Sequence, residues 1–150
     1  MRYRFGLMIA ALWWGSLTAL GFIIVPMLFT HLPSPAAAGQ LAAKLFTAQT
    51  WLSIACAMFL LLVYNQKEAP DQDIRAQTAI KYVVTGLLLA VLVEFGFSPR
   101  IVSARADGGN LKLLHGLGSA TYFGQWLCAG FALWVLSQKP DASNAEEVKR

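Results

Sequence analysis

Four long apolar runs constrain this chain more than any other feature of its sequence. Each is about 20 residues or longer, and the charged residues are concentrated between them. A helix rises about 1.5 Å per residue, so a run of about 20 residues crosses a hydrocarbon core of roughly 30 Å. Backbone polar groups in lipid need partners within their own segment, which favours helices. The sequence therefore predicts an all-α fold, a four-helix transmembrane bundle with spans at about 5–29, 41–64, 79–97 and 113–136.

The composition agrees with this fold class. Hydrophobic residues make up 57% of the 150 residues and charged ones 13%, against about 25% charged in an average soluble domain. The net charge is +4, but the basic residues sit at helix ends, where they anchor to lipid headgroups. The expected partner is therefore the lipid bilayer and no nucleic acid. The polar tail, residues 137–150, lacks an apolar face and is predicted to be disordered.

The Lys and Arg residues that flank the runs predict the orientation. Threading the chain through four spans puts eight of its twelve basic residues on one side, together with both termini, and four on the other. Positive charge is retained in the cytoplasm. Both termini are therefore predicted to be cytoplasmic.

Three local signals predict where helices bend or begin. Pro26 removes a backbone donor inside the first run, which predicts a kink or an early exit near Phe22. Ser34 followed by Pro35 is typical of an N-cap and first helical position, so the second helix is expected to begin before its apolar run. A Gly-Gly turn at 108–109 is expected to precede the fourth helix.

A row of small residues follows the fourth run at four-residue steps. Because small side chains let backbones approach, such a row is a packing surface in lipid, and it winds around the helix. It is predicted to pack the other helices on this one, or to contact a homo-oligomeric partner or a larger membrane complex. The row consists of Gly116, Ala120, Gly124, Cys128 and Ala132.

Most of the unusual polar residues are predicted to meet at the outer ends of the spans. Glu94 lies inside the third run, where insertion of a carboxylate costs about 2.5–3.5 kcal/mol. It shares a row with Gly86 and Ala90, which predicts that it faces the bundle interior. The candidate ligand-binding residues are His31, Lys44, Gln49, Glu94, Arg100, Arg105 and His115.

Two interpretations of this cluster stay open. In the first, Glu94 pairs with Arg100 or Lys44 and only locks helices together. In the second, Glu94, His115 and the basic residues line an outward-facing pocket that binds a small ligand or ion, or relays protons.

The sequence gives weaker signals for metal binding and for catalysis than for the polar cluster. Met27 and His31 stand four residues apart, and this pair of side chains suits Cu(I). Two His residues and scattered Met residues do not form a ligand set with diagnostic spacing. The chain has no nucleophile elbow, P-loop, GxGxxG or HExxH motif. No cofactor or catalytic residue is predicted, with haem or copper as the alternative.

Three segments resemble a known family. They are GFIIVPMLF at Gly21–Phe29, SPRIVSAR after the third run and LKLLHGLGSATY at the start of the fourth. Together they resemble the bacterial four-span family DUF4149, which is similar to a eukaryotic group of small transmembrane proteins. The resemblance implies a multi-pass protein of the bacterial inner membrane and carries no activity. A looser similarity links the Pro-x-Leu-Phe run and the outer His residues to copper-resistance D proteins and to the four-span, haem-linked protoporphyrinogen oxidase.

Three functions are therefore open. The first is a small ligand-binding, transport or accessory membrane protein with a polar outer pocket. The second is a membrane redox protein that holds haem or copper, with His31 or His115 as a ligand. The third is a structural subunit of a larger membrane complex.

Overall fold

The computed structural model describes residues 2–64 and 70–138, and every regular element among them is helical. We number the α-helices α1 to α6. Two of the joints between them are π-helical, at Leu20–Ile24 and Leu92–Phe97. The α-helices are α1 (Arg2–Ala19), α2 (Val25–His31), α3 (Pro35–Tyr64), α4 (Pro70–Val91), α5 (Ser98–Asp107) and α6 (Leu111–Ser137).

The helices form an antiparallel bundle in which each long helix packs on the next, and α6 returns to pack on α1. Three continuous helices are long and apolar enough to cross a membrane: Arg4–His31, Pro35–Tyr64 and Arg75–Ala104. Their mean hydropathies are 2.0, 1.8 and 1.9. Helix α6 is as long and packs along α4 as well as α1. The chain is thus a transmembrane helical bundle.

Each π-helical segment ends two residues before a proline. The N–H of Val25 donates to the carbonyl of Leu20, and the N–H of Ser98 donates to the carbonyl of Val93. A proline cannot donate, and its ring crowds the carbonyl four residues back. One wider turn accommodates Pro26, and a second accommodates Pro99, without ending the helix. The first of these turns lies where the sequence predicted a kink or an early exit, near Phe22.

Polar side chains cap α3 and α6 at the turns that precede them. The side chain of Ser34 accepts from the N–H of Ala37 at 3.2 Å, so α3 begins at Pro35, before its apolar run. Gly108 has φ of 74°, a left-handed conformation that favours glycine. The side chain of Asn110 then caps α6 by accepting from the N–H of Leu113 at 3.1 Å.

The half of the bundle nearest the N-terminus, which we call the packed half, holds most of the core. Trp13 and Leu17 are completely buried there. Small side chains on the neighbouring helices make this possible, because they let the backbones approach. The buried core of this half consists of Ala10, Trp13, Leu17, Cys56, Ala57, Leu60, Ala79, Val83, Ala129, Ala132 and Leu136.

The opposite half, which we call the open half, divides into two hairpins. Helix α2 stays against α3, and α5 stays against α6, while contacts between the two pairs are few. No residue of α2 or of the second π-helical segment is buried. The hairpins therefore diverge beyond the level of Leu20.

The helices extend beyond the predicted spans at most ends, since polar and small residues at their termini continue the hydrogen-bonded turns. The third helix shows the largest extension: it begins at Pro70 and passes through its π-helical segment into α5. Of the predicted disordered tail, 137–150, the structure describes the end of α6 at Ser137 and Gln138. Residues 139–150 lie outside the described residues.

Candidate functional site: a cavity between the two hairpins

A cavity of about 430 Å³ occupies the space between the diverging hairpins. All four long helices contribute to its wall, and most of the wall is apolar. The aromatic rings come from Phe22, Phe29, Phe46, Phe97, Tyr122 and Phe123. Polar groups are few: Glu94, Ser98, His115 and Ser119, with the hydroxyl of Tyr122. A cavity of this size and composition is typical of small-molecule sites, which span about 300–1,000 Å³.

Glu94 is the acidic side chain in this wall. It is half-buried on the second π-helical segment, and its Oε1 accepts a hydrogen bond from the Thr47 hydroxyl at 2.9 Å. A carboxylate has about four lone-pair positions, so one donor leaves most of them open. Among the described residues no ion pair joins it to Lys44 or Arg100. The structure thus presents a largely unneutralised carboxylate to an apolar cavity.

One side of the cavity is bordered by aromatic side chains that are about half exposed. Phe22 and Phe29 on the first hairpin are 52% exposed, and Phe123 on α6 is 48% exposed, although all three line the cavity. Phe22 meets the ring of Trp126 edge to face at 5.3 Å. These exposed aromatic side chains of the first hairpin and of α6 border the cavity, and we call this border the mouth between α2 and α6.

A layer of hydrogen-bonded polar side chains lies one helical turn below the cavity. Gln49 donates to the hydroxyls of Ser16 at 2.9 Å and Ser53 at 3.4 Å, and Gln125 donates to Ser53 at 3.0 Å. Gln49, Ser53 and Gln125 are all buried. We call Ser16, Gln49, Ser53 and Gln125 the polar layer. It joins α1, α3 and α6 where the packed half ends.

Two further contacts fix the floor of the cavity to α1. The hydroxyl of Tyr122 donates to the backbone carbonyl of Leu17 at 2.8 Å, and Trp126 Nε1 donates to Thr18 at 2.8 Å. The ring of Tyr122 lies against Gly21, where an added Cβ would approach it to 2.7 Å. Glycine at position 21 therefore permits the close approach of α1 and α6.

The sequence match is to a family that has no assigned activity. Residues 8–110, more than half of the 150-residue chain, match the model described as Domain of unknown function (DUF4149). The chain belongs to the DUF4149 family. No curated protein and no solved structure matches it. The matched range includes both π-helical segments and Glu94, and it ends at the cap of α6.

In this DUF4149 member, the predicted site residues separate into three groups. Glu94 and His115 line the same cavity. Gln49 is buried in the polar layer below it. The exposed residues His31, Lys44 and Arg100 lie outside the lining as described, and Arg100 donates to the carbonyl of Gly96 at 2.9 Å. Arg105 lies on α5, and its side chain is outside what the structure describes.

The ion pairs that the sequence suggested for Glu94 are replaced by the hydrogen bond from Thr47. Glu94 and Arg100 are six residues apart, and the intervening π-helical turn changes their angular relation. Arg100 then finds a carbonyl acceptor on its own helix, one turn back. A Thr inside an apolar run gave little signal that it would face the carboxylate.

The row of small residues on α6 divides at the boundary between the two halves. Ala132 is buried and Cys128 packs near Gly86. Gly116 and Ala120 are exposed, with nothing within 4 Å of a Cβ added at Gly116. The winding predicted for the row carries it from the interior to the lipid-facing side.

Gln125, Tyr122 and Thr47 are the functional residues that the sequence reasoning missed. Gln125 had a usable signal, because an amide inside an apolar run needs a buried partner.

The residues suggested for copper offer a limited set of donors. His31 is exposed, with Nδ1 3.0 Å from the carbonyl of Met27. No group of three His, Cys, Asp or Glu side chains that could hold a metal occurs within 2–64 and 70–138. Haem or copper binding stays a prediction.

Proposed function

We propose that this DUF4149 protein is a four-span protein of the bacterial inner membrane that binds a small ligand in the cavity between its hairpins. In this proposal α6 is the fourth span, both termini are cytoplasmic and the cavity is at the outer side. The Lys and Arg distribution supports that orientation. The role is ligand binding, as part of a transport or accessory function, and it requires no catalytic residue.

The observation that carries the proposal is the cavity itself. Helices in lipid gain stability by close packing, so a cavity of about 430 Å³ beside a fully packed core is a costly feature. Its wall also combines aromatic rings with a few polar groups, which is the usual composition of a ligand site. The two π-helical segments, each followed by a proline, lie at the level where the hairpins diverge.

The test compares two matched substitutions on α3. Ala43 lines the cavity and is exposed to it, while Ala48 is exposed on the same helix outside the described lining. In native mass spectrometry of the detergent-purified protein, we expect a retained small molecule on the wild type and on Ala48→Phe, and none on Ala43→Phe.

Binding of 4-phenylbutanol, measured by calorimetry, provides a readout that does not depend on a co-purified molecule. Ala43→Phe is expected to lower the affinity for this probe at least tenfold, because the added ring fills the cavity. Equal affinities in Ala43→Phe and Ala48→Phe, or no binding to the wild type, would refute a ligand site here.

A second candidate function, a subunit of a larger assembly, is favoured by the exposed part of the small-residue row. In a protein whose native thiols are replaced by Ala, a Cys at Ala120 is expected to cross-link between chains. A Cys at buried Ala132 serves as the control. Cross-links that form equally at both positions, or at neither, would contradict this role.

A further inference from the structure

We propose that the cavity selects a lipophilic ammonium compound, a molecule with an apolar body and one protonated amine, which enters from the bilayer through the mouth between α2 and α6. This inference rests on the proposed function, because it names the class of ligand that the same cavity takes. Three features of the cavity support it: the charge of the wall, the aromatic side chains at the mouth and the packed aromatic rings at the floor.

The charge of the wall is the first argument. Glu94 is the carboxylate of the lining, and Thr47 supplies its hydrogen bond, so an ionised Glu94 lacks a counter-charge among the described residues. A charge in apolar surroundings is stable only with a partner. A bound ammonium group supplies both the opposite charge and the donors that fill the remaining lone pairs.

The cations at the same end whose side chains the structure describes do not take this place. Lys44 and Arg100 are exposed and outside the described lining, and Arg100 is engaged with the carbonyl of Gly96. Lys112 is exposed at the start of α6. His115 and Tyr122 are the other titratable residues of the wall. The Tyr122 hydroxyl is engaged with the carbonyl of Leu17, and the imidazole of His115 is a further hydrogen-bonding group of the lining.

The mouth and the floor of the cavity indicate what kind of apolar body the ligand has. Phe22, Phe29 and Phe123 border the lateral opening, so a molecule that enters this way is dissolved in the bilayer. Aromatic faces also attract cations, which favours passage of an ammonium group. Tyr122 is held at the floor by its bond to Leu17, and Phe46 packs edge to face against it at 5.1 Å. An aromatic or branched apolar body therefore fits the interior better than a long flexible chain.

Three probes with one apolar body test the inference: 4-phenylbutylamine, 4-phenylbutanol and 4-phenylbutyrate. We expect calorimetry on the full chain in detergent to give an affinity for the amine at least tenfold above that for the alcohol. The carboxylate probe is expected to bind more weakly than the alcohol. Glu94→Gln should reduce the affinity for the amine to that for the alcohol and leave the alcohol unchanged. Arg100→Gln, a control outside the cavity, should change each affinity less than twofold.

The outcomes separate this inference from the proposed function. Binding of the alcohol without preference for the amine, or an unchanged affinity for the amine in Glu94→Gln, would overturn the charge selectivity and leave the cavity as a ligand site. Absence of binding by all three probes would refute both. If Glu94→Gln fails to fold, Thr47→Val provides the second variant. It frees Oε1, so the preference for the amine is expected to persist or increase, and its loss would contradict the inference.

Discussion

The packed half and the open half of this bundle are built from the same four helices, and they differ in what fills the space between them. In the packed half, Trp13 and Leu17 fill the centre, and small residues on neighbouring helices bring the backbones together. In the open half, π-helical turns before Pro26 and Pro99 redirect two of the helices, and the centre is a cavity. We therefore expect stability to be concentrated in the packed half.

The contact that separates the halves is the polar layer. The hydrogen bonds among Ser16, Gln49, Ser53 and Gln125 join α1, α3 and α6 at one level. Below this level the helices are close, and above it they can diverge without opening the core.

The largest effect is expected from Trp13→Ala in the packed half. Trp13 has no exposed surface, and truncation of a buried aromatic side chain costs about 3–5 kcal/mol. Phe29→Ala in the open half, where the side chain is 52% exposed, is expected to cost less than about 1 kcal/mol. Unfolding in detergent, followed by circular dichroism, measures both. Similar losses would show that stability is not concentrated in the packed half.

A matched pair of glycines tests the same contrast at finer scale. A Cβ at Gly86 would lie 2.8 Å from the ring of Trp13, whereas a Cβ at Gly116 meets nothing within 4 Å. Gly86→Ala should therefore destabilise the bundle by about 1–3 kcal/mol through overpacking. Gly116→Ala should be neutral or stabilising, since Ala is the better helix former by about 1 kcal/mol. Thermal unfolding measures the stability of both variants. A larger loss of stability in Gly116→Ala than in Gly86→Ala would contradict the contrast between the two halves.

Loss of the polar layer is expected to have a smaller effect. Gln125→Leu removes the donor to Ser53, and hydrogen bonds between membrane helices contribute about 0.6 kcal/mol on average, with a maximum near 1.7 kcal/mol. Gln40→Leu, an exposed position on α3, is the control and should change stability little. Refolding equilibria in mixed micelles give the two differences. A more stable Gln125→Leu would show that the layer sets register without adding stability.

The smallest effect is expected from Arg100→Gln. The side chain is exposed and donates to a carbonyl of its own helix, so the free energy of unfolding should change by no more than about 0.5 kcal/mol. Chemical unfolding of this variant and of Glu94→Gln distinguishes the two interpretations of the polar cluster. Coupling between the two variants in a double-mutant cycle would show that Glu94 and Arg100 interact. That result would contradict the structure, in which Thr47 donates the hydrogen bond to Glu94.

Much of the local structure could be predicted from the sequence because its causes are local. Apolar run length identifies helices, Pro26 disturbs the turn that precedes it, and Ser34 and Asn110 cap the helices that follow them. The inward direction of Glu94 was also predictable, since Gly86 and Ala90 share its helical face and are buried. The membrane itself enforces these rules, because it leaves backbone groups no other partners.

Only the tertiary structure decided which of the polar residues meet. Periodicity places a side chain on a face of its helix, but a π-helical turn shifts every face beyond it, and helix divergence depends on packing summed over the whole bundle. For these reasons Glu94 meets Thr47 and shares a cavity with His115, while Arg100 turns back to its own helix. The sequence by itself determined a bundle of membrane helices with a carboxylate directed inward. Contacts between distant segments decided that this carboxylate faces a cavity.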